Sequence, residues 1–161
     1  MIQSLTLNTD APEDTQAVGR ALGKHACPGD VILLTGPLGA GKTCLTQGVL
    51  NGLGSDDHVR SPTFVLVMEH AARIPMYHAD LYRLTEGPEI DTLGLEEYIH
   101  GNGLCVVEWA NKAPSIFPVE SLKIHIEPVC DLDNQRDFTI TASGERHIDL
   151  LKTVGDLEAD R

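Results

Sequence analysis

The stretch VILLTGPLGAGKT, residues 31–43, decides how this chain folds. Val31 to Thr35 is a continuous apolar run preceded by the turn residues Pro28, Gly29 and Asp30, and such a run reads as a strand buried on both faces. Gly36-Pro37-Leu38-Gly39-Ala40-Gly41-Lys42-Thr43 then satisfies GxxxxGK[ST] in full, and Lys42 to Leu53 is a helix candidate closed by Gly54. The pattern has physical meaning in that context. Its glycines let successive backbone N–H groups curl round a phosphate with no Cβ in the way. The start of the helix adds unpaired N–H groups and its positive dipole end. Lys42 is expected on the β and γ phosphates of ATP, or the β phosphate of ADP, and the Thr43 hydroxyl on Mg2+. All eight residues, Gly36, Pro37, Leu38, Gly39, Ala40, Gly41, Lys42 and Thr43, are thus expected to touch nucleotide. The plain alternative is a glycine-rich turn that matches by chance, and both flanks argue against it.

Such a loop needs a carboxylate at the end of a neighbouring strand to hold the metal or its water. Glu108 follows the apolar run Leu104-Cys105-Val106-Val107, so it arrives at a strand end, where open α/β sheets bind ligands. Asp80, within HADLYR at residues 78–83, is the second candidate, although a polar network with His78, Tyr82 and Arg83 would also account for it. His78 by itself reads as a hydrogen-bonded framework residue. Ser61-Pro62-Thr63-Phe64 lies between the loop helix and the next strand, where nucleotide switches often place a γ-phosphate-sensing segment. Taken alone it is equally a turn.

Working outward, Ile2 to Leu7 alternates as a half-buried strand does, and Asp10 with Glu13 marks a helix start ahead of Ala17, Val18, Ala21 and Leu22. Phe64–Glu69 and Met76–Tyr82 read as two strands too close in sequence for a helical crossover, hence antiparallel. Glu86 to Tyr98 is expected to be partly helical. Leu122, Ile124 and Ile126 alternate with polar residues, as do Phe138, Ile140 and Ala142, giving a second antiparallel pair joined around Asp131 to Gln135. Arg146 to Arg161 is expected to be a short helix that frays over about residues 152–161. The sum is one domain over residues 1–161: a three-layer α/β, P-loop NTPase-like fold with a mixed parallel and antiparallel sheet.

The chain has 161 residues, 42% of them hydrophobic, which supplies a core; with only 4% aromatic, that core must rest on Leu, Ile, Val and Ala. The net charge of −12, from 12 basic and 24 acidic residues, argues against gripping RNA over a broad surface. Cys27, Cys44, Cys105 and Cys130 form no CxxC pair and read as isolated, buried small residues. Neither a signal peptide nor a membrane-spanning run is visible, so a soluble cytoplasmic protein is expected.

GPLGAGKT at 36–43, SPTF at 61–64, HADLYR at 78–83 and VEW at 107–109 follow one another in a series that resembles the TsaE family of bacterial threonylcarbamoyladenosine synthesis, over roughly Leu5 to Phe138. The resemblance implies a small Mg2+-dependent ATPase that joins the TsaB–TsaD pair, which modifies adenosine 37 of ANN-decoding tRNAs; tRNA is then met only through partners, and no membrane is involved. It further implies that Thr43 and Glu108 coordinate magnesium, that Lys42, Asp80 and Glu108 form the catalytic set, and that Trp109 borders the site. Ser61 and Thr63 would belong to a switch loop, and Thr9 to the start of the adenine contacts. The sequence departs from the family's usual GDLGAGKTT at Pro37 and Cys44. Two other readings stand beside this one. A small-molecule kinase would need a basic lid, yet Ala113 to Glu145 offers only Lys123 and Arg136; a non-catalytic nucleotide-dependent scaffold would tolerate Glu108→Gln.

Overall fold

The structure is a computed structural model that describes residues 1–60, 67–83 and 94–160. Its elements run β1 (Ile2–Thr9), α1 (Pro12–His25), β2 (Val31–Thr35), α2 (Lys42–Gly52), β3 (Val67–His70), β4 (Met76–Asp80), α3 (Leu95–Ile99), β5 (Leu104–Glu108), β6 (Leu122–Pro128), β7 (Arg136–Ser143) and α4 (Glu145–Ala159). Two short 3-10 segments, Ala110–Lys112 and Pro114–Ile116, follow β5. The strands form one seven-stranded sheet in the order β1-β7-β6-β2-β5-β4-β3. β6, β2, β5 and β4 are parallel, while β7, β1 and β3 join antiparallel at the flanks. The mixed sheet and both antiparallel pairs agree with the sequence reading.

β2 lies between two parallel neighbours, which is why VILLT must be apolar throughout. Its even residues, Ile32 and Leu34, join Val18 of α1, Leu45 and Val49 of α2, Ile124, Ile140 and Ile148 of α4 in the larger core cluster. Its odd residues, Val31 and Leu33, meet Val107, Leu95, Ile99, Ala110 and Ala113 on the other face. Helices therefore cover both faces, giving three layers with the loop strand at the centre. No helix among the described residues is long and apolar enough to cross a membrane.

Several local expectations need correction. α1 begins at Pro12 with Ala11 as N-cap, not at Asp10, because proline at the first position forgoes only an N–H that has no helical partner. The Asp10 N–H donates instead to Asp14 Oδ2 (3.2 Å). β1 runs two residues past Leu7, held by pairing with β7 along its whole length. α4 stays helical to Ala159 rather than fraying from 152, since Val154 is fully buried and Leu157 packs on the core. Only Cys105 is a buried thiol; Cys27 and Cys130 are exposed and Cys44 is half-buried. The segments 64–66 and 86–93, assigned above to a strand and a helix, lie outside the described residues.

The start of β2 is anchored from α4. Arg146 donates through Nε (2.9 Å) and Nη2 (2.7 Å) to the buried Asp30 carboxylate, the bidentate geometry that guanidinium favours. Next to it, His147 Nε2 accepts the Val31 N–H at 3.2 Å. Burial pushes the His147 imidazole below its usual pKa.

Candidate functional site

At the C-terminal end of β2 the chain turns through Gly36, whose φ of 140° is poorly available to other residues. Space demands glycine as well: a Cβ there would sit 2.3 Å from the Ile126 carbonyl oxygen of β6. Gly41, at φ 112°, is the N-cap of α2 and turns the loop into the helix. Between them the Ala40 N–H donates to the Pro37 carbonyl (3.1 Å), closing the bend. Leu38 stands out at the tip, 74% exposed. The first turn of α2 is therefore offered to whatever the loop encloses, with N–H groups that α-helical geometry leaves unpaired.

Lys42 is the first residue of α2, and its ammonium folds back into the loop, donating to the carbonyls of Gly36 (2.7 Å) and Pro37 (2.9 Å). It also lies 4.2 Å above the Trp109 ring, a cation–π contact. Burial pulls the ammonium below its usual pKa, while the carboxylates Glu108 and Asp80 oppose that shift. The Thr43 hydroxyl donates to both oxygens of Glu108, at 3.0 and 3.2 Å. Glu108 ends β5, and the parallel pairing of β4 with β5 sets Asp80 opposite it in register. The two carboxylates and the loop helix thus meet at one end of the sheet. Asp80 Oδ1 accepts the Tyr82 N–H at 2.9 Å, and the Tyr82 ring packs tilted against Trp109 with centroids 4.8 Å apart. Trp109 itself holds a left-handed φ of 59°, strained for a side chain of that size, while its ring is in contact with Lys42 and Tyr82.

His78 turns out to be more closely engaged than its framework reading implied. It is wholly buried, and its Nε2 donates to Glu108 Oε2 at 2.5 Å. The sequence held a signal for this: His78 and Asp80 are two apart on one strand, so they share a face, and that face is the one Glu108 presents. Arg136 is the residue that sequence reasoning passed over, counted only as a poor lid. Its Nε donates to the Ala40 carbonyl at 2.9 Å and its Nη2 to that of Gly39 at 3.4 Å. A contact across 96 positions leaves no trace in local pattern.

Of the other candidates, Thr9 is buried at the end of β1, its hydroxyl 3.0 Å from that of Thr15. Ser61 and Thr63 lie outside the described residues. Chemically, Thr43 and Glu108 place one neutral and one anionic oxygen against each other beside a loop of N–H donors and one ammonium. That donor set suits a hard divalent cation shared with phosphate oxygens.

Comparison with known proteins agrees with this architecture. Residues 9–137 match the family described as "Threonylcarbamoyl adenosine biosynthesis protein TsaE". The chain is 42% identical over 147 residues to the tRNA threonylcarbamoyladenosine biosynthesis protein TsaE of Bacillus subtilis, covering 91% of this chain and 90% of that one. It is 34% identical over 128 residues to the protein of the same name from Treponema pallidum, covering 80% and 93%. The crystal structure of Bacillus subtilis YdiB superposes with a TM-score of 0.82 at 38% identity, covering 98% of each chain, which makes the fold P-loop NTPase-like.

Proposed function

Because the chain belongs to the TsaE family, whose members function in tRNA threonylcarbamoyladenosine biosynthesis, we propose that it is a Mg2+-dependent ATPase working with the TsaB–TsaD pair that forms this modification at adenosine 37 of ANN-decoding tRNAs. The observation that carries the proposal is the Thr43–Glu108 contact at 3.0 Å beside the loop that Lys42 fills.

In this reading the amides at the start of α2 bind the phosphates, and the Lys42 ammonium leaves the carbonyls of Gly36 and Pro37 for the β and γ phosphate oxygens. Thr43 and Glu108 would hold magnesium, which would supply positive charge against the phosphate oxygens. His78 keeps the Glu108 carboxylate turned toward Thr43, since one oxygen is tied to the imidazole. Asp80 is the second carboxylate of the site, set opposite Glu108 in the β4–β5 register with one oxygen accepting the Tyr82 N–H. Trp109 walls the site beside Lys42 and helps keep bulk water from the ammonium. With a net charge of −12, the chain leaves the grip on tRNA to its partners.

ATP turnover measured with and without the TsaB–TsaD pair tests this. Turnover by the chain alone should be slow and should rise with the pair. Thr43→Ala and Glu108→Ala should each lower the stimulated rate by about a hundredfold or more, as losing a preorganised electrostatic contact at a reacting phosphate does. A Glu108→Ala variant that turns over like the wild type would end the reading.

A further inference from the structure

We propose that Arg136 is a positioning residue for the phosphate loop, acting through the loop's own carbonyl groups. The proposal rests on the nucleotide-binding reading above. Arg136 opens β7, paired with Thr9 of β1 on one side and Pro128 of β6 on the other. Its guanidinium spans two groups of carbonyls. Nη1 donates to Asp133 (2.8 Å) and Gln135 (2.8 Å), which fixes the head against the turn preceding β7. Nε and Nη2 then reach across to Ala40 (2.9 Å) and Gly39 (3.4 Å).

The consequence follows from the planarity of the peptide. In a trans peptide the C=O of one residue and the N–H of the next point in opposite directions. Holding the Ala40 carbonyl toward β7 therefore aims the Gly41 N–H away from β7, at the interior of the loop. The loop carries little stiffness of its own at this point, because Gly39 and Gly41 both sit at positive φ, 79° and 112°, and a Cβ on either would meet nothing within 4 Å. Its far end is pinned differently: Gly36 presses on the Ile126 carbonyl of β6. The β6–β7 hairpin thus holds the loop at both ends, by close packing at Gly36 and by guanidinium at Gly39 and Ala40. A planar fork with donors on three nitrogens can bridge the turn and the loop together, whereas an ammonium offers its donors from one atom and spans less of that width.

The test is titration of the full chain with ADP and with pyrophosphate, both with Mg2+, for wild type, Arg136→Ala and Arg136→Lys, with nucleotide-free melting temperatures as a folding control. Arg136→Ala should weaken ADP binding about tenfold, the scale of one charge-assisted hydrogen bond, and weaken pyrophosphate by the same factor, because the loop holds only phosphate. Arg136→Lys should recover part of the loss. Wild-type binding with an Arg136→Ala affinity within about twofold of it would overturn this proposal alone. A penalty for ADP without one for pyrophosphate would put the guanidinium on the base or ribose and overturn it too. A wild type that binds neither would overturn the nucleotide reading, and this inference with it.

Discussion

A single carboxylate, Glu108, ties together residues from three elements: Thr43 of α2, His78 of β4 and its own strand β5. Buried charge is costly unless its lone pairs are used, and here the hydroxyl and the imidazole use them. The Asp30 carboxylate at the other end of β2 is satisfied in the same way by Arg146. His147 beside it offers a measurement independent of nucleotide. Its Nε2 accepts the Val31 N–H, which requires the neutral ring, and burial lowers its pKa while Asp30 and Glu120 oppose that and Arg146 adds to it. The unfolded chain takes up the proton near pH 6.5, whereas the folded chain resists until a lower pH. This contribution to stability is intact above about pH 6.5 and is lost as the pH falls through that value toward the folded pKa. Melting temperatures taken between about pH 7.5 and 5.5 should therefore drop less in His147→Gln than in the wild type, since the amide oxygen accepts the same N–H without titrating. His70, pushed the same way by burial, titrates in both proteins and cancels in the comparison. Equal slopes would show that His147 is not a source of the acid sensitivity.

Helices α1 and α2 cross on glycine. Gly19 and Gly23 of α1 face Gly48 and Gly52 of α2, and a Cβ at Gly48 would sit 2.3 Å from the Gln16 carbonyl oxygen. Backbone cannot yield as a flexible side chain does. In an exposed helix the change from glycine to alanine gains about 1 kcal/mol; at Gly48 the overlap should reverse the sign and cost about 2–3 kcal/mol net. Gly155 of α4 is the matched control, with nothing within 4 Å of its Cβ position and a helical φ. Gly155→Ala should stabilise by about 0.5–1 kcal/mol. Urea denaturation of the two variants reads both signs, and a Gly48→Ala protein as stable as the wild type would refute the close crossing. Because α2 starts at Lys42, the crossing also fixes the depth at which the phosphate loop meets the sheet. Arg73 reinforces the pair, donating to the carbonyls of Gly23 and Ala26 that end α1, while its own N–H caps the Leu53 carbonyl after α2.

Across the whole molecule, what could be read from sequence was what depends on neighbours in the chain. VILLT, the phosphate loop, the alternation in β6 and β7, and Glu108 at a strand end all declare themselves within a few residues. Strand order does not: nothing near Leu122 announces that β6 lies beside β2, yet that adjacency brings Ile126 against Gly36. At the start of α1, Asp10 and Glu13 resemble a capping pair, while Pro12, between them, is the stronger determinant. His78 and Arg136 give no local signal of their contacts, because their partners, Glu108 and the loop carbonyls, are 30 and 96 positions away. Thr9, opposite Arg136 in the β1–β7 register, has its hydroxyl against that of Thr15. The shared site of Thr43, Glu108 and the loop is tested most directly by calorimetric titration with a non-hydrolysable ATP analogue, with and without Mg2+. Mg2+ should tighten binding to the wild type and bring no gain to Glu108→Ala. An equal gain in both proteins, or none in the wild type, would contradict it.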